Sequence, residues 1–383
     1  MSVFDNHYFR INKFFLSCTG LWPYLSTGRK RVMRTIVLIA VTLYLIPTVG
    51  GLYEVWGKLD LMVECLIPIF TAFACLVCTI TYMSKEKQIL YLDSRLFSLL
   101  NSHLFSIFDR CSFFILRACI TLTAVTYILT TMTPQILNII LPLNETRPKK
   151  LPSRVEYFVN WEENFEYILV HIIIITIIEA CVLIGCRSTC SVLTDHACGL
   201  FSNAGNRLKN TINNIDSDKV RMEPHLEDAI YKDVTFCIEN HLRAIEFSET
   251  IESCFSPCFF FIMGLSVILI STTLIEIIVH LDETDDAIKF GVYTVGLIID
   301  LYFNNLPAQK LMDYSTSIPD HILEGTWYRI PLKSQKLLIM IMMRSRIPCK
   351  LTAGKMYVMS LNNFSKVLQN SLSYFTLLSS MRS

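Results

Sequence analysis

Charged residues are scarce in this 383-residue chain. Asp, Glu, Lys and Arg make up 17% of the sequence, whereas hydrophobic residues make up 52%; soluble domains carry roughly 25% charged residues. The 34 basic and 33 acidic side chains leave a net charge of +1, without the excess of positive charge that tracks a phosphate backbone. The composition therefore argues against nucleic acid as a partner and indicates a protein of the lipid bilayer.

Sequence motifs of enzymes are also missing. The chain contains no phosphate-binding glycine loop, no HExxH, no GxSxG and no EF-hand pattern. Cys75 and Cys78 have the spacing of metal ligands, but they lie in an apolar segment without a nearby histidine, which favours packing over a zinc or redox site. We therefore expect no enzymatic activity, no cofactor and no metal.

Long apolar segments are what the chain has in abundance. A helix needs about 20 mostly apolar residues to cross a bilayer; five segments meet this requirement, and two more are shorter or interrupted by polar residues. The predicted spans are residues 35–53, 62–82, 113–132, 167–186, 255–279, 290–306 and 358–378. The sequence thus predicts an all-α integral membrane protein with seven transmembrane helices in a single domain over residues 1–383. The apolar segment within residues 1–34 has no small-residue cleavage site after it, so we expect no cleaved signal peptide.

The distribution of Lys and Arg predicts a cytosolic amino terminus. With that orientation the inner segments hold 18 basic residues and the outer ones 7, leaving aside the long loop 187–254, which the positive-inside rule does not weigh. The acceptor triplet at Asn144 then lies in an outer loop, where it is a candidate for N-glycosylation. All 14 cysteines lie in spans or inner segments, so we expect no extracellular disulfide framework.

The loop between the fourth and fifth spans is too long for a simple connection. Apolar residues recur at helical spacing from Ile230 to Ile245, so we expect the fifth span to begin as a cytosolic helix. Residues 203–218, rich in Asn, Gly and Asp, are expected to form the turn before it. The apolar run 337–343 is short and flanked by basic residues, which indicates a packed cytosolic or interfacial helix. These helical extensions would form a base beneath the membrane.

The last predicted span carries a polar stripe. At 100° per residue, one arc of about 100° holds mostly polar side chains, with apolar ones near the outer end. Its members are Asn363, Lys366, Asn370, Ser373, Leu377, Ser380 and Met381. Such a stripe does not face lipid, so it either packs against another helix or lines a water-filled pathway that apolar residues close by dewetting. One stripe cannot enclose a pore, so the second alternative requires several subunits.

Candidate ligand-binding residues lie in the outer halves of the second, third, fourth and sixth spans. Apolar and aromatic walls with a few hydroxyls suit a small, volatile, mostly apolar ligand, although the same residues could simply form the core. The candidates are Ile69, Phe70, Phe73, Tyr127, Thr130, Thr131, Tyr167, His171, Phe290, Tyr293 and Thr294.

Ionisable side chains within spans are a further place where function could reside, because charge in hydrocarbon is costly. Glu64, Glu276 and Asp300 lie near span ends and are expected to reach the interface. His171 and Glu179 lie eight residues apart on one helix, about 80° around its axis. These two could share a polar interior face, or they could bond to neighbouring helices without a functional role.

Short motifs near the carboxyl end form an ordered set over about 50 residues. They are Trp327-Tyr328, residues 337–345, Pro348-Cys349, residues 351–354, Ser360-Leu361, Phe364 and residues 373–378. In this order they closely resemble the insect odorant receptor family. Chain length, span count, inverted orientation and the long inner loop agree with that family. The inner loop is shorter than in the family's shared co-receptor, which favours a tuning subunit.

The resemblance implies an odorant receptor subunit for olfactory signalling, at the plasma membrane of a sensory neuron dendrite. It implies a tetrameric, odorant-gated, non-selective cation channel formed with the co-receptor. In that family the last helix of each subunit lines the pore, with the gate near its outer end; the matching residues here are Leu377, Ser380 and Met381. The family's ligand cavity lies in the outer half of the membrane, between spans two, three, four and six.

Other classes of membrane protein share some of these features. A G-protein-coupled receptor also has about seven spans, but it has the opposite orientation and an NPxxY-like end to its seventh span. A secondary transporter could use His171 and Glu179 as an ion or proton site, yet this chain has neither internal repeats nor glycine-broken spans. A gustatory receptor would share the architecture and the channel mechanism and would differ in its ligand.

Overall fold

The computed structural model of the protein describes residues 7–99, 107–140, 149, 151, 153–213, 224–281 and 284–382. Helices make up nearly all of the secondary structure in these ranges. They are α1 (His7–Cys18), α2 (Thr27–Glu54), α3 (Leu59–Ser84), α4 (Glu86–Leu99), α5 (Ile107–Ile140), α6 (Phe165–Asn213), α7 (Pro224–Val279), α8 (Thr284–Thr316), α9 (Ile318–Leu323), α10 (Leu332–Ser345) and α11 (Leu361–Arg382), with a short 3-10 helix at Trp327–Arg329. Two strands, β1 (Thr352–Ala353) and β2 (Tyr357–Val358), pair as an antiparallel hairpin.

The long helices overlap the seven predicted spans. Helices α2, α3, α6, α7 and α8 are each long and apolar enough to cross a membrane. Helix α5 meets the same test as two segments, Phe114–Leu129 and Thr131–Asn138, which are bent by 49°. Pro134 explains the bend, because it cannot donate a hydrogen bond to the carbonyl of Thr130, four residues earlier. Helix α11 has 22 residues and is more polar than the others.

The last helix begins three residues later than the predicted span 358–378. Val358 pairs with Thr352 in the hairpin, and the helix starts at Leu361. Gly354 and Lys355 have positive φ angles of 63° and 61°, which reverse the chain at the hairpin tip. The first residue of the predicted span therefore belongs to a strand rather than to a helix.

The hairpin is tied to α7 by hydrogen bonds. The backbone N–H of Thr352 donates to the carboxylate of Glu252 at 2.7 Å, and the Thr352 hydroxyl donates to the same carboxylate. The backbone N–H of Gly354 donates to the carbonyl of Ser256 at 2.9 Å. The chain that leads into α11 therefore starts from a fixed point on α7.

Helices α6 and α7 are much longer than a bilayer requires. They contain 49 and 56 residues, which correspond to about 74 and 84 Å at 1.5 Å per residue, against about 30 Å for the hydrocarbon core. Both continue past their predicted spans at the same end of the bundle, as expected of helical extensions. Because α6 runs to Asn213, the turn predicted from residue 203 was placed too early, and residues 214–218 lie outside the described ranges.

A second hydrophobic core holds the extensions together. It combines residues of α6, α7, α9 and α10 with one residue that follows the 3-10 helix. Its buried members are Ala204, Leu208, Ile212, Ile230, Val234, Cys237, Ile318, Ile322, Ile330, Leu338 and Ile341. The helix predicted around residues 337–343 is confirmed as α10, and its apolar face packs into this core. The main core, which includes residues from α1 to α11, lies between the spanning segments.

Candidate functional site

A cavity of about 150 Å³ lies inside the bundle, between α2, α3, α5, α6, α7 and α8. Its wall is mostly apolar, with a few hydroxyl and ionisable groups. The lining residues are Tyr44, Ile67, Pro68, Thr71, Ala74, Ile120, Thr123, Ala124, Tyr127, Thr176, Glu179, Ala180, Leu183, Arg187, Ile262, Leu265, Ser266, Leu269, Tyr293, Gly296, Leu297 and Asp300. An engineered apolar cavity of about this volume holds benzene, so the space suits a small organic molecule.

Two opposite charges meet in the cavity wall. Nη1 of Arg187 on α6 pairs with Oδ2 of Asp300 on α8, and the two side chains are only 10% and 12% exposed. Nδ2 of Asn304, one turn further along α8, donates to the same carboxylate oxygen at 3.2 Å. The expectation that Asp300 reaches the membrane interface is wrong, because Arg187 provides a counter-charge inside the bundle.

Glu179 contributes a second carboxyl group to the wall. It lies eight residues before Arg187 on α6, about 12 Å along the helix axis. Its Oε1 is buried and accepts no hydrogen bond from the described residues. His171 does not share this position: its Nδ1 lies 2.8 Å from the hydroxyl of Tyr157, and its ring packs edge-on against Tyr44. His171 and Glu179 therefore do not meet at one site.

The segment before α6 packs against the outer end of the cavity. The hydroxyl of Tyr127 donates to Oγ of Ser153 at 3.3 Å. Nε of Arg154 pairs with Oε2 of Glu64 on α3 at 3.0 Å, in agreement with the expected position of Glu64 near a span end. Burial raises the pKa of the Tyr157 hydroxyl, so this group acts as a neutral hydrogen-bonding partner. Side chains of residues 153–157 thus connect α3, α5 and α6.

Close packing between α5 and α8 shapes the middle of the wall. A Cβ atom added at Gly296 would lie 2.3 Å from Cγ2 of Thr123, which is far inside van der Waals contact. Both residues line the cavity. Glycine is therefore required at position 296 by space and not by backbone conformation.

Three predicted pocket residues lie where a ligand in this region would contact them. Tyr127 and Tyr293 line the main cavity, and together with Phe290 they line an adjoining cavity of about 30 Å³. Ile69 is half-buried and lies outside both walls. The side chain of Thr130 lies outside the described part of the structure.

The other predicted pocket residues are placed elsewhere. Phe70 packs against a small core cluster between α3, α7 and α8, and Phe73 is 41% exposed. Thr131 and Thr294 are buried, and each donates its hydroxyl to a carbonyl of its own helix. Tyr167 is 79% exposed. None of these five side chains lines the main cavity.

The sequence-based prediction missed the paired charges of the cavity. Arg187 begins the long inner loop that was left out of the count of basic residues, and Asp300 was expected at the membrane interface. Glu179 carried a usable signal, because an ionisable residue inside an apolar span is unusual. Periodicity shows which face of a helix is buried, but it does not show which faces of different helices meet.

Helix α11 packs on its own chain with the face opposite the polar stripe. Val367 and Ser371 are buried, and the carbonyl of Ser371 accepts a hydrogen bond from Oγ of Ser271 on α7 at 2.8 Å. Exposed side chains of the stripe are Lys366, Asn370, Ser373, Leu377 and Ser380. The side chain of Met381 lies outside the described part. The described chain thus leaves most of the stripe uncovered.

Other predicted sites are resolved only in part. Cys75 and Cys78 are buried in the core, and Sγ of Cys78 lies 3.9 Å from Sγ of Cys258 on α7. No group of three or more His, Cys, Asp or Glu side chains within the described ranges is arranged to hold a metal ion. Asn144, the predicted glycosylation site, lies outside the described residues.

The architecture is that of a multi-pass α-helical membrane protein with a ligand-sized cavity in its bundle. The model of the 7tm Odorant receptor family matches residues 58–372, which is most of the chain. The chain therefore belongs to the odorant receptor family.

Curated relatives match over shorter stretches. Odorant receptor Or2 of Anopheles gambiae is 24% identical over 155 residues, 40% of each chain. Odorant receptor 13a of Drosophila melanogaster is 27% identical over 156 residues, 38% of this chain and 37% of that receptor. Odorant receptor 10 of Aedes albopictus is 26% identical over 141 residues, 37% of each. The alignments thus span about two fifths of the length of these relatives.

Solved structures share the whole fold. The insect olfactory receptor OR5 from Machilis hrabei, in complex with eugenol, superposes with a TM-score of 0.78 over 98% of this chain and 97% of that one, at 12% identity. A second structure of OR5 from Machilis hrabei superposes with a TM-score of 0.76 over 96% of both chains, at 12% identity. The predicted all-α fold with seven transmembrane helices is confirmed.

Proposed function

We propose that this chain is an odorant-binding subunit of a non-selective cation channel at the plasma membrane of a sensory neuron. It acts as a tuning subunit, it assembles with the family's co-receptor into a tetramer, and odorant binding opens the channel directly. Two features of the structure support this proposal.

The polar stripe of α11 supports the proposal that the subunits form a channel. Lys366, Asn370 and Ser373 are exposed in a helix that crosses the membrane, and hydrocarbon does not accommodate such side chains. Near the outer end the stripe becomes apolar, with Leu377 54% exposed. Several subunits that each contribute this stripe would enclose an aqueous path, and the apolar residues near position 377 would close it by dewetting. We assign the gate to Leu377, Ser380 and Met381.

The cavity within the bundle supports the ligand-binding part of the proposal. Its mostly apolar wall and its few polar groups are typical of sites for small, uncharged or weakly polar molecules. The OR5 receptor of Machilis hrabei, which has the same fold, was solved in complex with eugenol, a small aromatic molecule. Among the predicted pocket residues, Tyr127 and Tyr293 are the ones we retain, with Phe290 at the adjoining cavity.

Whole-cell current tests this proposal. The chain is expressed with and without the co-receptor, a panel of volatiles is applied, and G-protein signalling is blocked. We expect a rapid cation current that requires the co-receptor and survives the block. Leu377→Ala should change the current in the absence of odorant, because a smaller apolar side chain weakens the dewetting barrier.

Leu372→Ala is the matched control for that variant. Leu372 is 52% exposed on the same helix, close to the 54% of Leu377, but it lies about 140° away around the axis at 100° per residue. The pore assignment predicts that Leu372→Ala leaves the basal current unchanged. Equal effects of the two variants would refute the assignment of the gate. A response that vanishes when G-protein signalling is blocked would refute direct gating.

A further inference from the structure

The carboxyl group of Glu179 is an unmatched hydrogen-bonding group in the cavity. Its Oε1 is buried without a hydrogen-bond partner among the described residues, and a buried polar atom of this kind is expensive to leave unpaired. The same side chain lines the cavity. A molecule that enters the cavity is therefore in a position to supply the missing donor.

The nearby base does not neutralise Glu179. Arg187 is already paired with Asp300 across α6 and α8, and it lies two helical turns from Glu179, about 12 Å along the axis. When the two carboxyl groups and the guanidinium group of the lining are charged, Glu179, Asp300 and Arg187 leave one net negative charge. The cavity thus favours a ligand that carries one positive charge.

Aromatic rings complete the environment of a cation. Tyr44, Tyr127 and Tyr293 line the same cavity as Glu179. The face of a tyrosine ring attracts an ammonium group, and the attraction is stronger where water is excluded. A carboxylate and several aromatic rings in one cavity wall form a combination that recognises amines better than esters or hydrocarbons, which offer no N–H donor.

We propose that the cavity binds a small primary or secondary amine in its protonated form, with the ammonium group at Glu179 and an apolar body of about benzene size among the tyrosines. This inference rests on the proposed ligand-binding role of the cavity and names the chemical class of its ligand. The volume of about 150 Å³ sets the upper size of the apolar body.

Three ring compounds of equal size test the chemical class. Cyclohexylamine, cyclohexanol and methylcyclohexane differ only in the group attached to the ring, and the amine is protonated at neutral pH, as the lysine side chain is. Binding is measured by the rise in thermal stability of the purified full-length receptor in detergent. This measurement does not depend on channel opening. We expect stabilisation by the amine at concentrations at least about tenfold lower than those of the alcohol or the hydrocarbon.

Variants of one residue test the position. Glu179→Gln keeps the shape and removes the charge, and we expect it to raise the amine concentration for half-maximal stabilisation by about tenfold or more while leaving the alcohol unchanged. Glu179→Asp retains the charge and should keep the preference for the amine. Glu166→Gln is the matched control, because Glu166 lies exposed on the same helix, α6, and outside the cavity wall. Each variant is first compared with the wild type without ligand, which shows whether it is folded.

The outcomes separate this inference from the proposed function. Stabilisation of the wild type by the amine, together with no current for any volatile of the panel, supports the amine site and contradicts direct gating. A current evoked by other volatiles, with no amine binding, supports the channel and overturns the amine site. Equal binding of the three ring compounds, or unchanged amine binding in Glu179→Gln, also overturns it.

Discussion

Removal of one partner of the buried Arg187 and Asp300 pair is expected to destabilise the receptor strongly. The two side chains are 10% and 12% exposed, so solvent screens the remaining charge very little. Loss of one member of a buried pair costs about 3–5 kcal/mol, and the residual exposure favours the lower end of that range. A loss of about 3 kcal/mol reduces the ratio of folded to unfolded protein by roughly a hundredfold.

The double variant gives the decisive comparison. Arg187→Met and Asp300→Leu each leave one buried charge, whereas the variant with both changes leaves none. We expect the double variant to be closer to the wild type than either single variant, because a buried ion pair is often replaced by apolar residues at little cost.

Thermal unfolding of the purified proteins in detergent measures this series. Lys209→Met serves as the control, because Lys209 and Glu324 form an ion pair at 2.7 Å whose side chains are 39% and 60% exposed. Exposed pairs contribute little to stability, so this variant should unfold at nearly the wild-type temperature. Single losses at Arg187 and Asp300 that simply add in the double variant would refute a stabilising pair.

Three further predictions concern other parts of the molecule. Gly296→Ala should lower the thermal midpoint and impair ligand binding, because the Cβ of the new alanine has no room in the cavity wall. Gly291→Ala on the same helix should be tolerated, because a Cβ there meets no atom within 4 Å. Burial raises the pKa of Asp93 to about 7, so Asp93→Asn should be more stable than the wild type at pH 8, and its advantage should shrink towards pH 5. Glu252→Gln should weaken the attachment of the hairpin to α7, because the N–H of Thr352 loses a charged acceptor at 2.7 Å. Faster proteolysis within residues 352–360 would show this.

The pH dependence expected for Asp93→Asn follows from the different pKa values of Asp93 in the folded and unfolded protein. An unfolded aspartate releases its proton near pH 4, whereas folded Asp93 holds it until about pH 7. Stability from this group is therefore lost as pH rises between these values and is constant above them. A variant whose advantage over the wild type is the same at pH 5 and pH 8 would contradict this account. Equal thermal midpoints of Gly291→Ala and Gly296→Ala would contradict the argument that position 296 has no space for a side chain.

The helices were predictable because each span must satisfy its own backbone in lipid, and this requirement leaves a long apolar run in the sequence. The start of α7 well before its span was predictable for a related reason, since apolar residues from Ile230 to Ile245 repeat at helical spacing. The turn predicted at 203–218 was placed too early because one face of α6 packs against α7 and α9, while Asn203 and Asn206 lie on its exposed face. Gly205, for example, lies against the ring of His321.

The cavity was predictable only in its general location. Tyr127 and Tyr293 lie in its wall, but Thr131 and Thr294, only one to four residues away, point their hydroxyls to their own helices. Successive residues of a helix point 100° apart, so neighbours on one helix can differ in whether they line the cavity. The orientation of each helix in the bundle decides which of them does. The pairing of Arg187 with Asp300 depends on the contact between α6 and α8, which no local pattern encodes.

The hydrogen bonds that attach α11 to α7 lie at the hairpin and in the first half of the helix, up to Ser371. One end of the helix leaves a hairpin bound to α7 through Glu252 and Ser256, and its 22 residues extend for about 33 Å from that clamp. At this length, a tilt of about 5° at the clamp displaces the far end by about 3 Å. The same tilt would move residue 377, about 24 Å along the helix, by about 2 Å. The residues that hold α11 to α7 and the residues that form its far end therefore lie in different stretches of the sequence.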